Sequence, residues 1–308
     1  MAPISRVKEP AKAKVDIVFV HGLHGAQDPW TSEGGVFWPD KILPGKIPDA
    51  SILSYTYKDK AKVDSIFDRY DLDDLSLDLL DNVMDYRTEK EAEERPIIFV
   101  AHCLGGLVVE NALLIANEDP SKKEFIGCVH GILLLGTPQF TAGSVAAAAN
   151  YFRLAGTGTD APPSDAELSE KLAEIVSIPE GFAQLKASGA EFAIETFWGG
   201  QGSKLGDNND NDVKIIVDEA LAKVPGASKP RRLMRTQLQL SQYDAVEDED
   251  AVKVLRPLTQ WASKIKLPDE EGKGPQNVSN ATFSGSHNSG MQLGQNAGTI
   301  KGFTFGRP

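Results

Sequence analysis

Cysteine is nearly absent from this chain. Only Cys103 and Cys128 occur among its 308 residues, too few for the disulfide frameworks of small secreted domains and in keeping with a reducing, cytoplasmic setting. No apolar run approaches the roughly 20 residues that cross a bilayer, so stable membrane insertion is not expected. Met1 to Lys14 lacks an apolar stretch, which argues against a secretory signal, and reads as an N-terminal arm. Cations are in the minority: 32 Lys and Arg face 44 Asp and Glu, a net charge of −12. That balance argues against nucleic acid as a general partner. Histidine is scarcer still, at five residues. With two cysteines it offers no metal-ligand spacing, and no phosphate-loop sequence is present. Neither a metal nor a cofactor is expected.

What is present alternates in type. Val15 to Val20 (VDIVFV), Ser51 to Tyr57, Pro96 to Ala101, Gly131 to Leu135, Phe192 to Phe197 and Val213 to Val217 read as strands. Between and after them, Leu72 to Met84, Gly105 to Asn117, Thr141 to Lys186 (interrupted at Gly156 to Pro163) and Val252 to Ile265 have helical character. Alternation of this kind predicts an α/β domain over residues 15–265, with a mainly parallel sheet covered by helices on both faces. Chemistry on such a sheet sits at the carboxyl ends of the strands. Residues 266–280 read as a polar linker, and 281–308 as a separate tail.

Ala101-His102-Cys103-Leu104-Gly105-Gly106 lies between a β-branched strand and an apolar helix. An α/β-hydrolase holds its nucleophile on a sharp strand-to-helix turn, which small residues two positions to either side allow to close. Ala101 and Gly105 hold those places, and Cys103 holds the position usually filled by Ser. The backbone N–H of Leu104 would face a developing oxyanion. A thiol there becomes a nucleophile when its proton is lost, which the start of the following helix favours.

Together with Val20-His21-Gly22-Leu23-His24-Gly25 and Val36-Phe37-Trp38-Pro39, this stretch resembles the SesB-type lipase/esterase-like hydrolases associated with fungal NLR-type receptors. The resemblance implies the α/β-hydrolase fold, with Leu23 as the second oxyanion donor and Glu195 as the acid that orients a histidine. Asp218 is the other candidate for that acid. The family places its histidine after the last strand, but here the segment is Leu238-Gln239-Leu240-Ser241-Gln242-Tyr243-Asp244, and Gln242 or Ser241 takes the slot. Where the family continues Gly-Thr-Pro-His, this chain has Gly136-Thr137-Pro138-Gln139. His24, beside the oxyanion loop, is the candidate surrogate base. His102 should point away from the site, and His130 lies near the opposite end of the sheet.

The tail contains a repeat at an offset of eight, in which Asn288, Gly290 and Gly294 recur as Asn296, Gly298 and Gly302. From Gly272 onward there is no Asp or Glu. With Gln292 and Ile300, the pattern resembles the sigma-type prion motif of fungal NLR signalling. Stacked Asn and Gln form amide ladders, the interleaved apolar residues line a dry core, and glycines allow the turns. Two short units cannot bury a core alone, so the tail should order only by stacking with other copies. The resemblance implies a matching NLR-type receptor and self-association through the tail as the partners.

Two readings of function follow. In one, amyloid templating switches on an esterase or lipase that uses Cys103 as nucleophile in programmed cell death. In the other, the input is the same but the domain is a degenerate, non-catalytic signalling module. The intact turn at Cys103 favours the first, and the missing histidine favours the second.

Overall fold

The computed structural model describes residues 4–22, 28–57, 67–155, 163–205 and 212–266. The strands are β1 (Ile4–Lys8), β2 (Val15–Val20), β3 (Ala50–Tyr55), β4 (Ile97–His102), β5 (Val129–Leu135), β6 (Ala193–Gly199), β7 (Ser203–Lys204), β8 (Val213–Lys214) and β9 (Arg231–Leu233). The helices are α1 (Trp38–Lys41), α2 (Leu43–Lys46), α3 (Arg69–Glu89), α4 (Gly105–Glu118), α5 (Lys123–Cys128), α6 (Val145–Ala155), α7 (Asp165–Ile175), α8 (Ser177–Ala187) and α9 (Glu249–Lys264).

All six residues of β2 are buried. Since successive strand residues point to opposite faces, a run with no polar side must divide by parity between two cores. Val15, Ile17 and Phe19 join one core, and Val18 and Val20 the other. In β4 the split is Ile98 and Val100 against Ile97, Phe99 and Ala101. The first core meets α1, α2 and α9 through Trp38, Leu43, Val254 and Leu258. The second meets α3, α4, α6, α7 and α8 through Leu79, Leu107, Tyr151, Leu168 and Phe182. Seven strands lie in the order β1-β3-β2-β4-β5-β6-β9; β1 is antiparallel to β3 and the other pairs are parallel.

Helix starts follow local chemistry. Asp68 accepts from the N–H groups of Tyr70 and Asp71 to begin α3, Asp248 does the same for Asp250 and Ala251 at α9, and Ser164 and Glu167 form a capping box at α7.

The mainly parallel sheet with helices on both faces is as the sequence implies. Three details differ. Ile4–Lys8, within the expected arm, is an edge strand, and its half-polar sequence gave no strand run. The strand expected over 213–217 contracts to Val213–Lys214, because Ile216 and Val217 turn into the core instead of pairing. The closing strand β9 has only three residues, two of them Arg.

At the amino-terminal end of the sheet, Asp16 is fully buried and bound by two guanidiniums, Arg87 at 2.7 Å and Arg95 at 2.8 Å. Arg87 also donates to the carbonyls of Glu93 and Arg95. This network clamps β2 to α3, away from the elbow.

Candidate active site

Cys103 follows β4 with φ of +57°. A side chain in that left-handed region costs about 1–2 kcal/mol, so the surrounding structure must hold it there. The Cys103 N–H donates to the Leu135 carbonyl at 2.8 Å, and the Cys103 carbonyl accepts from Thr137 Oγ1 at 3.0 Å. Glycines then let the His21–Gly22 loop close on the turn. A methyl group on Gly22 would sit 2.6 Å from the Leu104 nitrogen and 2.8 Å from Cys103 Cβ, and one on Gly105 would collide with the His21 carbonyl. α4 begins directly after Leu104, so its unbonded N–H groups and the positive end of its dipole face the cysteine.

A left-handed strand-to-helix turn at the carboxyl end of the central strand of this sheet decides the matter. This chain is an α/β-hydrolase by fold.

Cys103 has no exposed surface. Tyr57 is near it, its hydroxyl donating to the His21 carbonyl at 2.8 Å and its ring edge-on to that of His21. Tyr151 of α6 donates to the Gly136 carbonyl at 3.1 Å, and its hydroxyl also meets the Cys103 thiol. Burial drives both phenols far above the ordinary tyrosine range, so neither ionises near neutrality.

Gln237, in the loop after β9, reaches the same place. Its Nε2 donates to the Gly136 carbonyl at 2.7 Å and to Tyr151 Oη at 3.3 Å. Its backbone N–H donates to Ser203 Oγ, and its carbonyl meets His102 Nε2 at 2.8 Å. Gln237 is not among the residues that the sequence suggested. The signal was present, because the rule of chain order points to the loop after the last strand, but β9 was too short to locate that loop.

Gln242 lies five residues further on. It closes the 3-10 turn Leu238–Ser241, with its backbone N–H on the Gln239 carbonyl. Ser241 is fully buried and donates from Oγ to the Pro29 carbonyl. Glu195 pairs with Leu133 in β6, two residues before Phe197, which stands level with Leu135. Its carboxylate is therefore mid-sheet, and its Oε2 is buried without a hydrogen-bond partner. Asp218 accepts the N–H of Leu221 in a turn. His102 lies on the far face of the sheet against Trp30, and His130 is at the amino-terminal end of β5. Leu23, His24 and all the tail residues singled out above lie outside the described residues.

Beside the elbow, Glu110 of α4 is fully buried, and burial pushes its carboxyl up to about 8. Gln139 Nε2 donates to its Oε1 at 2.7 Å. Glu110 Oε2 and Gln139 Oε1 are both without partners. Gln139 thus fills, as a partner for a buried acid, the position where a Gly-Thr-Pro-His sequence has histidine. It also lines a cavity of about 480 Å³ with Asn150, Ile216 and Asp218.

Among the described residues no cluster of His, Cys, Asp and Glu is arranged to hold a metal ion, and no helix is long and apolar enough to cross a membrane.

Comparison with known proteins agrees with the elbow. Residues 11–138 match the family described as "Putative serine esterase (DUF676)". Residues 275–302 match the family described as "SesB domain on fungal death-pathway protein". Zebrafish (Danio rerio) Protein SERAC1 is 33% identical over 161 residues, which is 44% of this chain and 23% of that protein. Human Protein SERAC1 is 27% identical over 155 residues, with the same shares. The chain thus spans 23% of the length of these curated relatives. Among solved structures, the Bacillus licheniformis lipase BlEst2 in mature form aligns at a TM-score of 0.47 and 17% identity, covering 83% of this chain and 97% of that one. At that score the likeness carries no weight, and the fold rests on the sheet order and the elbow. Residues 11–138 are thus similar to a serine-esterase family.

Proposed function

We propose that this chain is an acyl-transferring thiol esterase whose activity is controlled by assembly of its tail. The left-handed Cys103 carries the reading, because a strained cysteine facing a helix start is costly to hold and suits a nucleophile. The Cys103 thiolate attacks an ester carbonyl. The oxyanion would be held by the Leu104 N–H and by a second N–H from Leu23; its collapse breaks the ester C–O bond, and the alcohol leaves with the proton that the thiol gave up. Water then hydrolyses the thioester, releasing the acid and restoring the thiol. Glu195 stands level with Leu133 and Val100, three residues below Cys103, and in this reading is too deep in the sheet to orient a histidine there.

The likeness of residues 275–302 to a domain of fungal death-pathway proteins supports the second half of the reading. The tail's spaced Asn, Gln and Gly residues would stack on a matching motif carried by an NLR-type receptor, and so cluster the hydrolase domains in the cytoplasm. Cys103 is sealed from solvent, so we assign to clustering the opening of the site.

The rival reading, a non-catalytic module, is favoured by Gln237, because no imidazole of the described residues stands in the loop after β9. Losing a general base typically costs 10²–10⁴-fold in rate. One experiment separates the two. Hydrolysis of p-nitrophenyl butyrate is followed before and after fibrils of peptide 275–302 are added to the full chain. Release that rises with the seed and disappears in Cys103→Ala supports the esterase. Release equal in Cys103→Ala, or none with or without seed, supports the module.

A further inference from the structure

Two donors meet at the Gly136 carbonyl beside Cys103. Gln237 Nε2 donates to it at 2.7 Å and Tyr151 Oη at the longer 3.1 Å. Gln237 Nε2 also donates to Tyr151 Oη at 3.3 Å. A phenol has one proton to give and two lone pairs to receive. While Tyr151 gives its proton to Gly136, its oxygen can accept from Gln237 and from the Cys103 S–H. When the thiol loses its proton, the phenol O–H can turn from Gly136 to sulfur. That move leaves no buried carbonyl unpaired, because the shorter bond from Gln237 remains on Gly136. Buried carbonyls that lose their only donor are costly; this one keeps a donor in either state.

We infer that Tyr151 is the hydrogen-bond donor that stabilises the Cys103 thiolate, with Gln237 as its positioning residue. The inference deepens the esterase reading by naming a group that lowers the cost of the nucleophile where, among the described residues, the loop after β9 offers no imidazole. Gln237 fits the role in a second respect. Its Oε1 is buried without a partner, so the amide is held by what its nitrogen gives and not by what its oxygen receives.

Tyr57 also acts on Cys103, but its proton is committed to the His21 carbonyl. Turning it to sulfur would leave that carbonyl without this donor. The His21 ring packs on Tyr57, and His102 lies on the opposite face of the sheet. The ionisable side chains next to the sulfur therefore differ in how freely they can give a proton, and Tyr151 gives it most cheaply.

The test is a titration of Cys103 by thiolate ultraviolet absorbance in the full chain, with Cys103→Ser as the blank. Tyr151→Phe, which keeps the ring, should raise the midpoint by about one pH unit or more. Gln237→Met should raise it by less, and Tyr57→Phe should leave it near the parent value. An unchanged midpoint in Tyr151→Phe overturns the assignment, as does an equal rise in Tyr57→Phe. Absorbance does not depend on ester chemistry. A shifted midpoint with no ester turnover keeps Tyr151 in this role and removes the esterase reading, whereas turnover with an unshifted midpoint does the reverse.

Discussion

The alpha carbon of Gly22 is so close to the elbow that a methyl group on it would lie 2.6 Å from the backbone nitrogen of Leu104. The obstacle is backbone, which cannot rotate aside as a side chain would. Gly22→Ala is therefore expected to destabilise the fold by roughly 1–3 kcal/mol. It should also push the His21–Gly22 loop off Leu104, so that acylation of Cys103 falls more than stability alone explains. Urea unfolding and ester acylation rates measured on the same variant check both parts.

Glu110 gives stability a pH dependence of known sign. Its carboxyl is at about 8 in the fold and near the ordinary value of about 4.3 when unfolded. Between those limits the folded state holds a proton that the unfolded state has lost, so raising the pH favours unfolding. The contribution is fully present at the acid end of that window and declines through it, by at most about 1.4 kcal/mol per pH unit. In Glu110→Gln this slope should vanish. The check is the urea midpoint from pH 5 to 8.5, compared with the parent.

Arg87 holds a fully buried Asp16 together with two backbone carbonyls. Arg87→Ala leaves buried Asp16 with Arg95 alone and takes a donor from the Glu93 and Arg95 carbonyls, and should cost about 3 kcal/mol, the low end for breaking a buried pair. A shift in the midpoint of chemical unfolding reads this directly. The network is at the far end of the sheet, so whatever fraction folds should keep the parent Cys103 titration.

How much of this was legible in the sequence depends on how strongly each element is dictated locally. VDIVFV and IIFVAH are apolar and rich in Val and Ile apart from Asp16 and His102, which suits a strand covered on both sides. The cysteine turn was legible because Ala101, Gly105 and Gly106 meet a steric demand that other residues cannot. β9 was not legible, since Arg231–Leu233 is held by pairing with β6 and not by its own pattern. Without β9 the loop after it could not be placed, and Gln237, which acts only through tertiary contacts with Gly136 and Tyr151, passed unnoticed. Glu110 was hidden for a similar reason: within an apolar helix one Glu reads as a solvated face until the packing shows it buried.

The tail makes its own prediction. A peptide of residues 275–302 should convert to cross-β fibrils, shown by reflections near 4.7 Å and 10 Å in fibre diffraction. Replacing Asn288 and Asn296 with Asp places like charges in every rung of the stack and should abolish conversion. A peptide that stays monomeric after seeding removes the assembly half of the proposal.

The central claim is that Cys103 is a nucleophile, and peptide mapping by mass spectrometry after exposure to p-nitrophenyl butyrate, with tail fibrils present, tests it most directly. The account predicts a butyryl thioester on Cys103, formed in the parent chain and missing when the chain is unfolded before exposure. A butyryl group found on half-exposed Cys128 and not on Cys103, or on neither cysteine, would contradict it.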